Sequence, residues 1–594
     1  MPVQYRAPVE DMAFVIEHVV DSQSIAKLPG HQEFTPDLIE AVLNEADKFS
    51  HEVISPLNHP CDKQGATLGP DHTVTTSPGF QQAYEQFVAA GWNGLAGNPA
   101  FGGQGLPEVL ATATSEMVQS ACMSFGLCPM LTAGAIHAIE HHGNPAQKQT
   151  YLPKLISGQW AGTMNLTEPQ AGSDLAAITC RAQPQDDHYL LSGVKIYITY
   201  GDHDLTENII HLVLARLPDA PAGVKGISLF IVPKYLVNDD GSLGARNDLQ
   251  CLSLEHKLGI HGSPTAVMRY GDQGGAVGYL IGQPNEGLAC MFTMMNHARL
   301  NVGLQGVAIA ERAMQQAIWY AYDRVQGKTL IPSAHAAAPI ACHPDVRRML
   351  TSMQCRVQAM RALAYEAATC MDIAAASSDA TVASQAQARV DLLIPVVKGW
   401  CTEQAQEIAS IGVQVHGGMG YIEETGAAQH LRDARITTIY EGTTAIQAND
   451  FVGRKILRDE GHAIAHLLDD VAQTAAELSS NPNPGLATLG QQLNEGCAAL
   501  RQSVKWMLAN GKTNTAAVYF VSVPALMLAG DVLGGWLMAR AALASQTPQN
   551  IQNPYSQKKL SAAITYGHLV LIRCVGQAKF IETAEHALKG ALDM

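Results

Sequence analysis

The amino-acid sequence predicts a mostly α-helical protein with a central β domain and an additional helical bundle at its C-terminal end. The first observation is a change of hydrophobic periodicity along the chain, from the 3–4 residue spacing of amphipathic helices to short apolar runs and back again. The second is composition, since 47% of the 594 residues are hydrophobic and only 15% are charged. A chain of this length holds several domains, and this composition favours large buried cores over disorder.

Helical spacing marks the first folded segment. After an N-terminal extension predicted over residues 1–35, apolar side chains recur at Leu38, Leu43 and Ala46, which places them on one buried helix face. We therefore predict an N-terminal helical domain over residues 36–160.

Short apolar runs divided by Gly, Asp and Pro follow this helical segment. The runs HYLLSGVKIYIT and GISLFIVPKYLV are rich in β-branched and aromatic residues, as strands are. We predict a compact β domain over residues 161–285.

Helices return over residues 286–455, where apolar residues from Leu300 to Ala321 follow one helix face. Residues 456–594 form a predicted additional helical domain, with Leu, Val and Met recurring every three or four positions from Leu486 to Met507. Its apolar faces must be covered to avoid aggregation, and a surface of the same chain is present at high effective concentration. We therefore expect this domain to pack against the rest of the chain.

One apolar stretch, AAVYFVSVPALMLAG at residues 516–530, raises the question of a membrane segment. It contains Pro524 and is followed by Asp531, and it is shorter than the ~20 apolar residues that a spanning helix needs. We predict a buried helix here and no transmembrane segment.

Charge and cysteine usage limit the classes of function. A net charge of −16 argues against a nucleic-acid or anionic-membrane surface, because binding to phosphates needs clustered Lys and Arg. The twelve cysteines form no Cys-x-x-Cys pair and lie in apolar surroundings, which is typical of reduced core thiols in a cytosolic protein. The N-terminus lacks the pattern of a signal peptide, so a cytoplasmic location is predicted.

Several common signatures do not fit. The glycine-rich runs AFGGQGLP and HGGMGY spell neither G-x-G-x-x-G nor a P-loop, which argues against a Rossmann or nucleotide-hydrolysing domain. The run AIHAIEHHG could place His137 and His141 one helical turn apart, as zinc ligands require. No third ligand has matching spacing, so ordinary surface or packing histidines are the better interpretation and no metal is expected.

Two segments of the β domain carry polar groups that could hold a cofactor. In NLTEPQAGSDL the Gly-Ser backbone could cradle a pyrophosphate, although a plain polar turn before a strand is an open alternative. In KIYITYGDHD the alternation predicts that Tyr197 and Thr199 point to the same face of a strand. An aromatic ring beside a hydroxyl suits a flat heteroaromatic cofactor, and ordinary β-core residues are again the alternative.

Near the end of the third segment, TTIYEGTTAIQ places the carboxylate of Glu441 among Thr, Ile, Tyr and Gly. A surface loop normally carries more charge, and a plain helix carries less Gly and Thr. From the residues alone, Glu441 is a solvated loop residue, a helix-capping group, or a base held in an apolar slot.

The motifs NLTEPQAGSD, KIYITYGD, VQVHGGMGY and LRDARITTIYEGTTAIQ occur in this order across a helical–β–helical chain. Together they resemble the acyl-CoA dehydrogenase family, flavoproteins that oxidise acyl-CoA thioesters. The resemblance covers about residues 36–455 and implies an N-terminal helical domain, a β-barrel-like domain and a C-terminal four-helix bundle. The end segments are similar to those of a long subgroup that includes the 3-methylmercaptopropionyl-CoA dehydrogenases.

The resemblance implies that Glu441 is the catalytic base. An independent physical reason supports it: the α-proton of a thioester is a very weak acid, so the base needs the raised pKa that desolvation provides. Gly442 would let the backbone approach the thioester. In the family the thioester carbonyl meets the backbone N–H of the base and a flavin ribityl hydroxyl, which act like an oxyanion hole.

The resemblance also implies FAD as the cofactor. The ring and pyrophosphate contacts fall on the segment 164–173, and Tyr197 takes the place of a tryptophan that is common in the family. Contacts from a neighbouring subunit to the adenosine half imply an obligate oligomer, either a homodimer or a dimer of dimers. The predicted FAD-binding residues are Met164, Leu166, Thr167, Gly172, Ser173, Tyr197, Thr199, Arg324, Gln414, Val415, His416, Gly417, Gly418 and Thr443.

The expected substrate contacts are Ser173, Asn296, Arg299 and Gly442, and here the sequence departs from the family. Asn296 stands where an aspartate is common, and the arginine-lysine-threonine run after the long helix is reduced to Arg324. An arginine expected twelve residues after the base falls on a glycine, Gly453.

The predicted function is FAD-dependent α,β-dehydrogenation of an acyl-CoA to the 2,3-enoyl-CoA. The substrate implied is 3-methylmercaptopropionyl-CoA or a fatty acyl-CoA, and an electron-transfer flavoprotein is the implied acceptor. The alternatives are an acyl-CoA oxidase that uses O₂ and a catalytically silent, flavin-binding scaffold.

Overall fold

The computed structural model describes residues 4–328, 330 and 338–592. The chain forms two compact units. Unit 1 consists of Met1–Lys48, Pro107–Ser120 and Arg299–Met594, as far as these are described, and unit 2 consists of Phe49–Leu106 and Ala121–Ala298. The four consecutive domains predicted from the sequence stay a prediction.

The α-helices take up most of the chain, which confirms the predicted mostly helical class. Their bounds are α1 Val9–His18, α2 Ser22–Ile25, α3 Pro36–Phe49, α4 Asn58–Gln64, α5 Phe80–Ala89, α6 Glu108–Ala121, α7 Met123–His142, α8 Pro145–Ile156, α9 Gly287–Asp323, α10 Pro344–Ala376, α11 Ala380–His416, α12 Ala427–Arg435, α13 Thr444–Asp450, α14 His462–Ser479, α15 Pro484–Asn510, α16 Thr515–Phe520, α17 Ser522–Ala544, α18 Pro554–Leu569, α19 Cys574–Glu582 and α20 Ala584–Leu592.

The strands of the described residues belong to unit 2, and two short ones, within residues 67–75, lie in the segment 36–160 that was predicted to be helical. Their bounds are β1 Thr67–Leu68, β2 Val74–Thr75, β3 Trp160–Asn165, β4 Arg181–Gln185, β5 His188–Thr199, β6 Asn208–Ala215, β7 Ser228–Pro233, β8 Tyr235–Val237, β9 Leu243–Arg246, β10 Leu249–Leu254, β11 Thr265–Tyr270 and β12 Ala276–Ile281.

Unit 2 is built on one curled, eight-stranded sheet with the strand order β10-β11-β5-β12-β7-β6-β3, and β4 pairs with β5. The pair β3–β6 is parallel and the other pairs are antiparallel. Strands β3, β6 and β7 are buried along their whole length, so their sequences show no alternation of apolar and polar residues.

Strand β5 is interrupted where the sequence analysis expected regular alternation. Its register against β11 shifts between Lys195, which faces Met268, and Ile198, which faces Ala266. Within this bulge Tyr197 has a left-handed backbone, with φ +61°. Ile198 is buried, Tyr197 is exposed and Thr199 is half-buried. The bulge therefore turns an aromatic ring out of the sheet, as bulges near functional sites often do.

The core of unit 1 includes the long helices α10 and α11. The N-terminus of α11 is capped by Asp379, whose side chain accepts hydrogen bonds from the backbone N–H groups of Thr381 and Val382. The helix ends at His416, and the following Gly417 has a φ of +59°, which suits glycine. Both helices are buried over most of their middle turns, so their polar residues there need internal partners.

The appended C-terminal helices pack against α10 and α11 of the same unit, as predicted. Trp400 on α11 donates its indole N–H to Asp531 on α17 at 2.9 Å. Gly530 lies so close to Trp400 that an added Cβ would approach the ring to 2.1 Å. The small residue is required because the two helices meet at this point.

Helix α17 contains most of the apolar stretch that raised the membrane question. Within the described residues it is the one helix long and apolar enough to cross a membrane, but 83% of its most apolar window is buried inside the protein. This burial agrees with the prediction of a buried core helix.

A buried cluster of charges ties the two ends of the chain into unit 1. Arg361 on α10 pairs with Asp11 on α1 at 2.5 Å, with Glu116 at 2.6 Å and with Glu311 at 2.7 Å. Lys559 on α18 reaches Asp11 at 2.6 Å. Removal of a single member would leave the others buried without compensation, which is strongly destabilising.

Candidate active site

The segment that carries Glu441 is a short turn between a 3₁₀ helix, Ile436–Thr438, and helix α13. The hydroxyl of Thr443 accepts a hydrogen bond from the backbone N–H of Ile446 at 3.3 Å and so caps α13. The cap is therefore Thr443 and not Glu441, which removes one of the three interpretations of the carboxylate.

The backbone at Glu441 is strained. Glu441 has φ +53° and the following Gly442 has φ +88°. Two successive left-handed residues suit glycine but not glutamate, and a non-glycine residue in this region typically stores about 1–3 kcal/mol of strain. Strain of this kind persists only where the surroundings hold the turn, and it is common at active sites.

The carboxyl group of Glu441 lies in a desolvated environment. The residue is half-buried, and among residues 4–328, 330 and 338–592 its carboxyl oxygens and its backbone N–H have no hydrogen-bond partner. Burial raises the pKa of Glu441 to about 7, and the positive charges of Arg299 and Lys398 offset part of this effect. Such a carboxyl is partly ionised at neutral pH, which suits a general base and argues against a solvated loop residue.

The residue before the base is fixed by a chain of polar contacts. The phenol of Tyr440 donates a hydrogen bond to the side chain of Gln305 on α9. Gln305 in turn donates to the side chain of Gln119 at 2.9 Å. Burial raises the pKa of Tyr440, so it remains a neutral donor and anchors the turn next to Glu441.

Lys398 on α11 is a site residue that the sequence analysis missed. It is fully buried, and its ammonium group donates a hydrogen bond to the carbonyl of Gly442 at 2.6 Å. Burial lowers the pKa of Lys398 to about 7, although the charge of Glu441 acts to raise it. The sequence held one signal, a single lysine within the apolar run DLLIPVVKGWC, where a charge needs a specific partner.

Arg299, predicted as a substrate contact, lies within the surroundings of Glu441. Its guanidinium is buried and donates to Asp450 on α13 at 3.2 Å. Asp450 also pairs with the more exposed Arg454 at 3.5 Å. The described residues thus give Arg299 an internal partner, and its role toward CoA stays a prediction. Asn296, in unit 2, is exposed on α9.

In unit 2 the predicted flavin segment leaves β3 and turns back on itself. Glu168 and Ala171 exchange two backbone hydrogen bonds of 3.1 and 2.9 Å. The carbonyl of Thr167 accepts a hydrogen bond from the N–H of Ile196 at 2.9 Å, which joins the turn to β5 beside the exposed Tyr197. Backbone hydrogen bonds therefore fix the conformation of this turn.

The groups around this turn fit a flat cofactor with hydrogen-bonding edges. Tyr197 exposes 60% of its surface, which is unusual for an aromatic residue in a strand. Within the part of the chain that the structure describes, the hydroxyls of Thr167, Ser173 and Thr199 have no hydrogen-bond partner. Met164 is buried in β3, so a contact from this residue would fall to its backbone.

The residues predicted to hold the adenosine half lie in unit 1 at the ends of α9 and α11. Arg324, Gln414, Gly417 and Gly418 are exposed, whereas Val415 and His416 are buried. The ring of His416 stacks on Tyr320 with a centroid distance of 4.4 Å. A contact from Val415 or His416 to a cofactor would therefore have to come from the backbone.

The missing arginine twelve residues after Glu441 has a structural explanation. An added Cβ at Gly453 would lie 2.5 Å from the phenolic oxygen of Tyr519 on α16. A helix of the appended domain thus fills the space that a longer side chain at position 453 would need.

Comparison with known proteins identifies the family of the chain. Family models match four consecutive segments: "Acyl-CoA dehydrogenase, N-terminal domain" at residues 37–159, "Acyl-CoA dehydrogenase, middle domain" at 163–272, "Acyl-CoA dehydrogenase, C-terminal domain" at 285–456 and "Acetyl-CoA dehydrogenase C-terminal like" at 467–590.

Two curated relatives match over nearly their whole length. The chain is 48% identical to the 3-methylmercaptopropionyl-CoA dehydrogenase of Ruegeria pomeroyi over 592 residues, which covers 99% of this chain and 100% of that protein. It is 32% identical to a butyryl-CoA dehydrogenase of Syntrophomonas wolfei over 606 residues, which covers 99% and 98% of the two chains.

A solved structure shares the fold. The acyl-CoA dehydrogenase of Bacillus anthracis, complexed with FAD, aligns with a TM-score of 0.74 at 20% identity and covers 98% of this chain and 94% of that one. This structure confirms the fold, and the family models together with the full-length relatives confirm the predicted family, its FAD cofactor and the appended C-terminal domain. The chain is an FAD-dependent oxidoreductase that dehydrogenates acyl-CoA thioesters, and it belongs to the acyl-CoA dehydrogenase family.

Proposed function

We propose that Glu441 is the base of this dehydrogenation and that the substrate is 3-methylmercaptopropionyl-CoA. The observation that carries the proposal is the environment of Glu441, a desolvated carboxyl with a pKa of about 7 on a strained turn. A carboxyl whose pKa is near the pH of the reaction is partly ionised and still has a high affinity for a proton, as a general base requires.

The reaction removes two hydrogens from neighbouring carbons. Glu441 takes the α-proton of the thioester, and the β-hydrogen leaves with its electron pair, so that a C=C bond forms. Bound FAD supplies the acceptor for that hydride. The backbone N–H of Glu441, which has no partner among the described residues, is available to the thioester oxygen as charge develops on it.

Residues of unit 2 would hold the cofactor. The unpartnered hydroxyls of Thr167, Ser173 and Thr199 would bond its polar edges, and the ring of Tyr197 would cover its flat face. A cofactor that stacks on this exposed ring would remove its apolar surface from water and so stabilise the complex.

The full-length similarity to a 3-methylmercaptopropionyl-CoA dehydrogenase supports the thioether substrate. A short fatty acyl-CoA is the second candidate, because a butyryl-CoA dehydrogenase also matches over nearly the whole chain. Anaerobic stopped-flow mixing of the enzyme with each thioester separates the candidates by the rate at which the flavin is bleached. Faster reduction by butyryl-CoA would assign the second substrate.

An electron-transfer flavoprotein is the proposed acceptor for the reduced cofactor, and a cytoplasmic homodimer or dimer of dimers is the proposed assembly. Reoxidation in air-saturated buffer tests the acceptor. Slow reoxidation that accelerates when an electron-transfer flavoprotein is added supports a dehydrogenase, whereas fast reoxidation by O₂ alone would identify an oxidase.

The substitution Glu441→Gln tests the base. Glutamine keeps the shape but cannot take the proton, so flavin reduction should slow by ~10²–10⁴-fold. Acyl-CoA binding, followed as a perturbation of the flavin spectrum, should persist. The exposed Glu424→Gln provides the matched control and should keep the parent rate. Parent-like reduction by Glu441→Gln would place the base elsewhere.

A further inference from the structure

We propose that Lys398 is the positioning residue of the base: it holds the carbonyl of Gly442 and so aims Glu441 at the substrate. This inference rests on the proposed role of Glu441. It assigns a function to a residue that belongs to none of the predicted contacts with cofactor or substrate.

The first support is the geometry of the turn. Three side chains hold it from two helices. Lys398 donates to the carbonyl of Gly442 at 2.6 Å. Gln447 on α13 donates to the carbonyl of Glu441 at 3.2 Å and, more weakly, to that of Gly442 at 3.4 Å. The hydroxyl of Thr444 donates to Glu403 on α11 at 2.6 Å. A left-handed glutamate needs such external restraint, and Lys398 makes the shortest contact to the strained pair.

The second support is the rigidity of the helix that carries Lys398. The neighbouring Gly399 faces α17 of the appended domain, and an added Cβ there would lie 2.4 Å from Leu526. The close contact between Gly399 and Leu526 therefore fixes helix α11 next to Lys398. A site on a rigid helix with supporting contacts is held more closely than a site on a free loop.

The third support is charge. The lysine places a buried positive group beside the carboxyl without forming an ion pair with it, since its hydrogen bond goes to the neighbouring carbonyl. The ammonium therefore stabilises the carboxylate by Coulomb attraction and leaves its oxygens available to the substrate. The titratable and charged groups around Lys398 are Glu441, Arg299 and Glu403, with Asp450 and Arg454 beyond Arg299 and Tyr440 beside the base.

The two contributions differ in their pH dependence. A neutral amine still donates a hydrogen bond to the carbonyl of Gly442, so the positioning effect operates at every pH. The attraction between charges operates only while Lys398 is protonated, which weakens above a pH of about 7. Removal of the amine should therefore slow catalysis at all pH values and slow it further on the acid side.

The experiment is Lys398→Met in the full-length holoenzyme, with single-turnover flavin reduction by acyl-CoA measured from pH 6 to 9. We expect a rate loss of ~10²-fold at high pH, as for a misplaced catalytic group. The inflection of the pH profile should move to higher pH, because a charge that lowers the pKa of Glu441 has been removed. The Kd for acyl-CoA should change little. Lys455→Met, which removes an ion pair with Asp391, is the matched control and should keep both rate and inflection.

A second variant, Lys398→Gln, separates the contributions and serves if the methionine variant does not fold. Its amide can donate to Gly442 but carries no charge, so the rate should recover in part while the inflection stays shifted. A parent rate and a parent inflection in both variants, even with a lowered melting temperature, would overturn the proposal and leave Lys398 a structural residue. A parent rate in Glu441→Gln would instead overturn the proposed base, so the two failures are distinguishable.

Discussion

Two glutamates of the motifs that carry the family resemblance, Glu168 in unit 2 and Glu441 in unit 1, have opposite electrostatic surroundings. Burial acts to raise the pKa of both. At Glu168 the charge of Lys195 and the hydrogen bonds to the carboxylate outweigh burial and lower the pKa to about 2. At Glu441 the charges of Arg299 and Lys398 are more distant and do not outweigh burial, so the pKa rises to about 7.

Hydrogen bonds account for the difference. The carboxylate of Glu168 accepts five: from the ammonium of Lys195, from the backbone N–H groups of Thr179 and Cys180, from the hydroxyl of Thr179 and from the amide of Gln170. The carboxyl of Glu441 accepts none within the described residues. A carboxylate with all its acceptor sites occupied stabilises a fold, whereas one without partners keeps its affinity for a proton.

The largest expected effect is on the stability of the flavin-side turn. In Glu168→Gln the buried Lys195 loses its ionic partner, and breaking a buried pair in this way typically costs about 3–5 kcal/mol. Amide hydrogens of residues 166–173 and of Cys180 should exchange faster, and FAD should be retained more weakly. Hydrogen exchange followed by mass spectrometry measures the first effect, and fluorescence of released flavin measures the second.

The matched control for that prediction is Glu441→Gln, which breaks no ion pair. It should leave exchange in both motifs close to the parent. The double variant Glu168→Gln/Lys195→Met removes both charges and should recover part of the lost protection. Equal exchange in Glu168→Gln and the parent would mean that the pair does not hold the turn.

The second effect is the pH dependence of catalysis. Since the proposed base must be ionised, the rate of flavin reduction should rise about tenfold per pH unit below the inflection and level off above it. The inflection is expected near pH 7, which is the pKa of Glu441 in the enzyme without substrate. Bound acyl-CoA will shift the inflection because it excludes water from the carboxyl. Stopped-flow reduction over pH 5.5–9 measures it. An inflection near pH 4.5, the ordinary value of a glutamate, would mean that Glu441 is solvated in the working enzyme.

The order of the elements and the position of the proposed base could be predicted from the sequence, whereas the surroundings of the two glutamates could not. The helix–β–helix order follows from hydrophobic periodicity, and Glu441 stood out as a lone carboxylate among apolar and small residues. The residues that set the two pKa values were not predicted. Lys398 lies 43 positions before Glu441, and Lys195 lies 27 positions after Glu168, so only the fold brings each lysine to its glutamate.

The bulge at Tyr197 was unpredictable for a similar reason. Alternation of Tyr and Thr with Ile indicates a regular strand, but the extra residue is defined by the register against β11, a strand about seventy residues further along the chain. The hydroxyl of Thr167, which has no partner among the residues that the structure describes, and the capping role of Thr443 likewise depend on backbone geometry that composition does not reveal. Periodicity predicts elements, whereas the partners of individual polar groups require the tertiary structure.

The smallest effect is on the pH dependence of stability, and its sign differs between the two glutamates. The pKa of Glu168 is lower in the folded protein than the ordinary 4.5, so the folded state gains stability from the ionised form above pH 4.5 and loses it as the pH falls through about 2. The pKa of Glu441 is higher when folded, so the unfolded chain releases its proton first and stability falls as the pH rises from 4.5 to about 7.

Relative to the parent, Glu441→Gln should therefore become more stable as the pH rises across that interval, and the difference should be constant above it. The gain in the free energy of unfolding is at most about 1.4 kcal/mol per unit of pKa difference. Glu168→Gln should instead differ from the parent most above pH 4.5 and converge with it in acid. Melting temperatures of the two holoprotein variants and the parent between pH 4.5 and 8 test the first sign, and urea unfolding of unit 2 followed by hydrogen exchange between pH 2 and 5 tests the second. Parallel curves for Glu441→Gln and the parent would show that the carboxyl titrates alike in both states and is not desolvated.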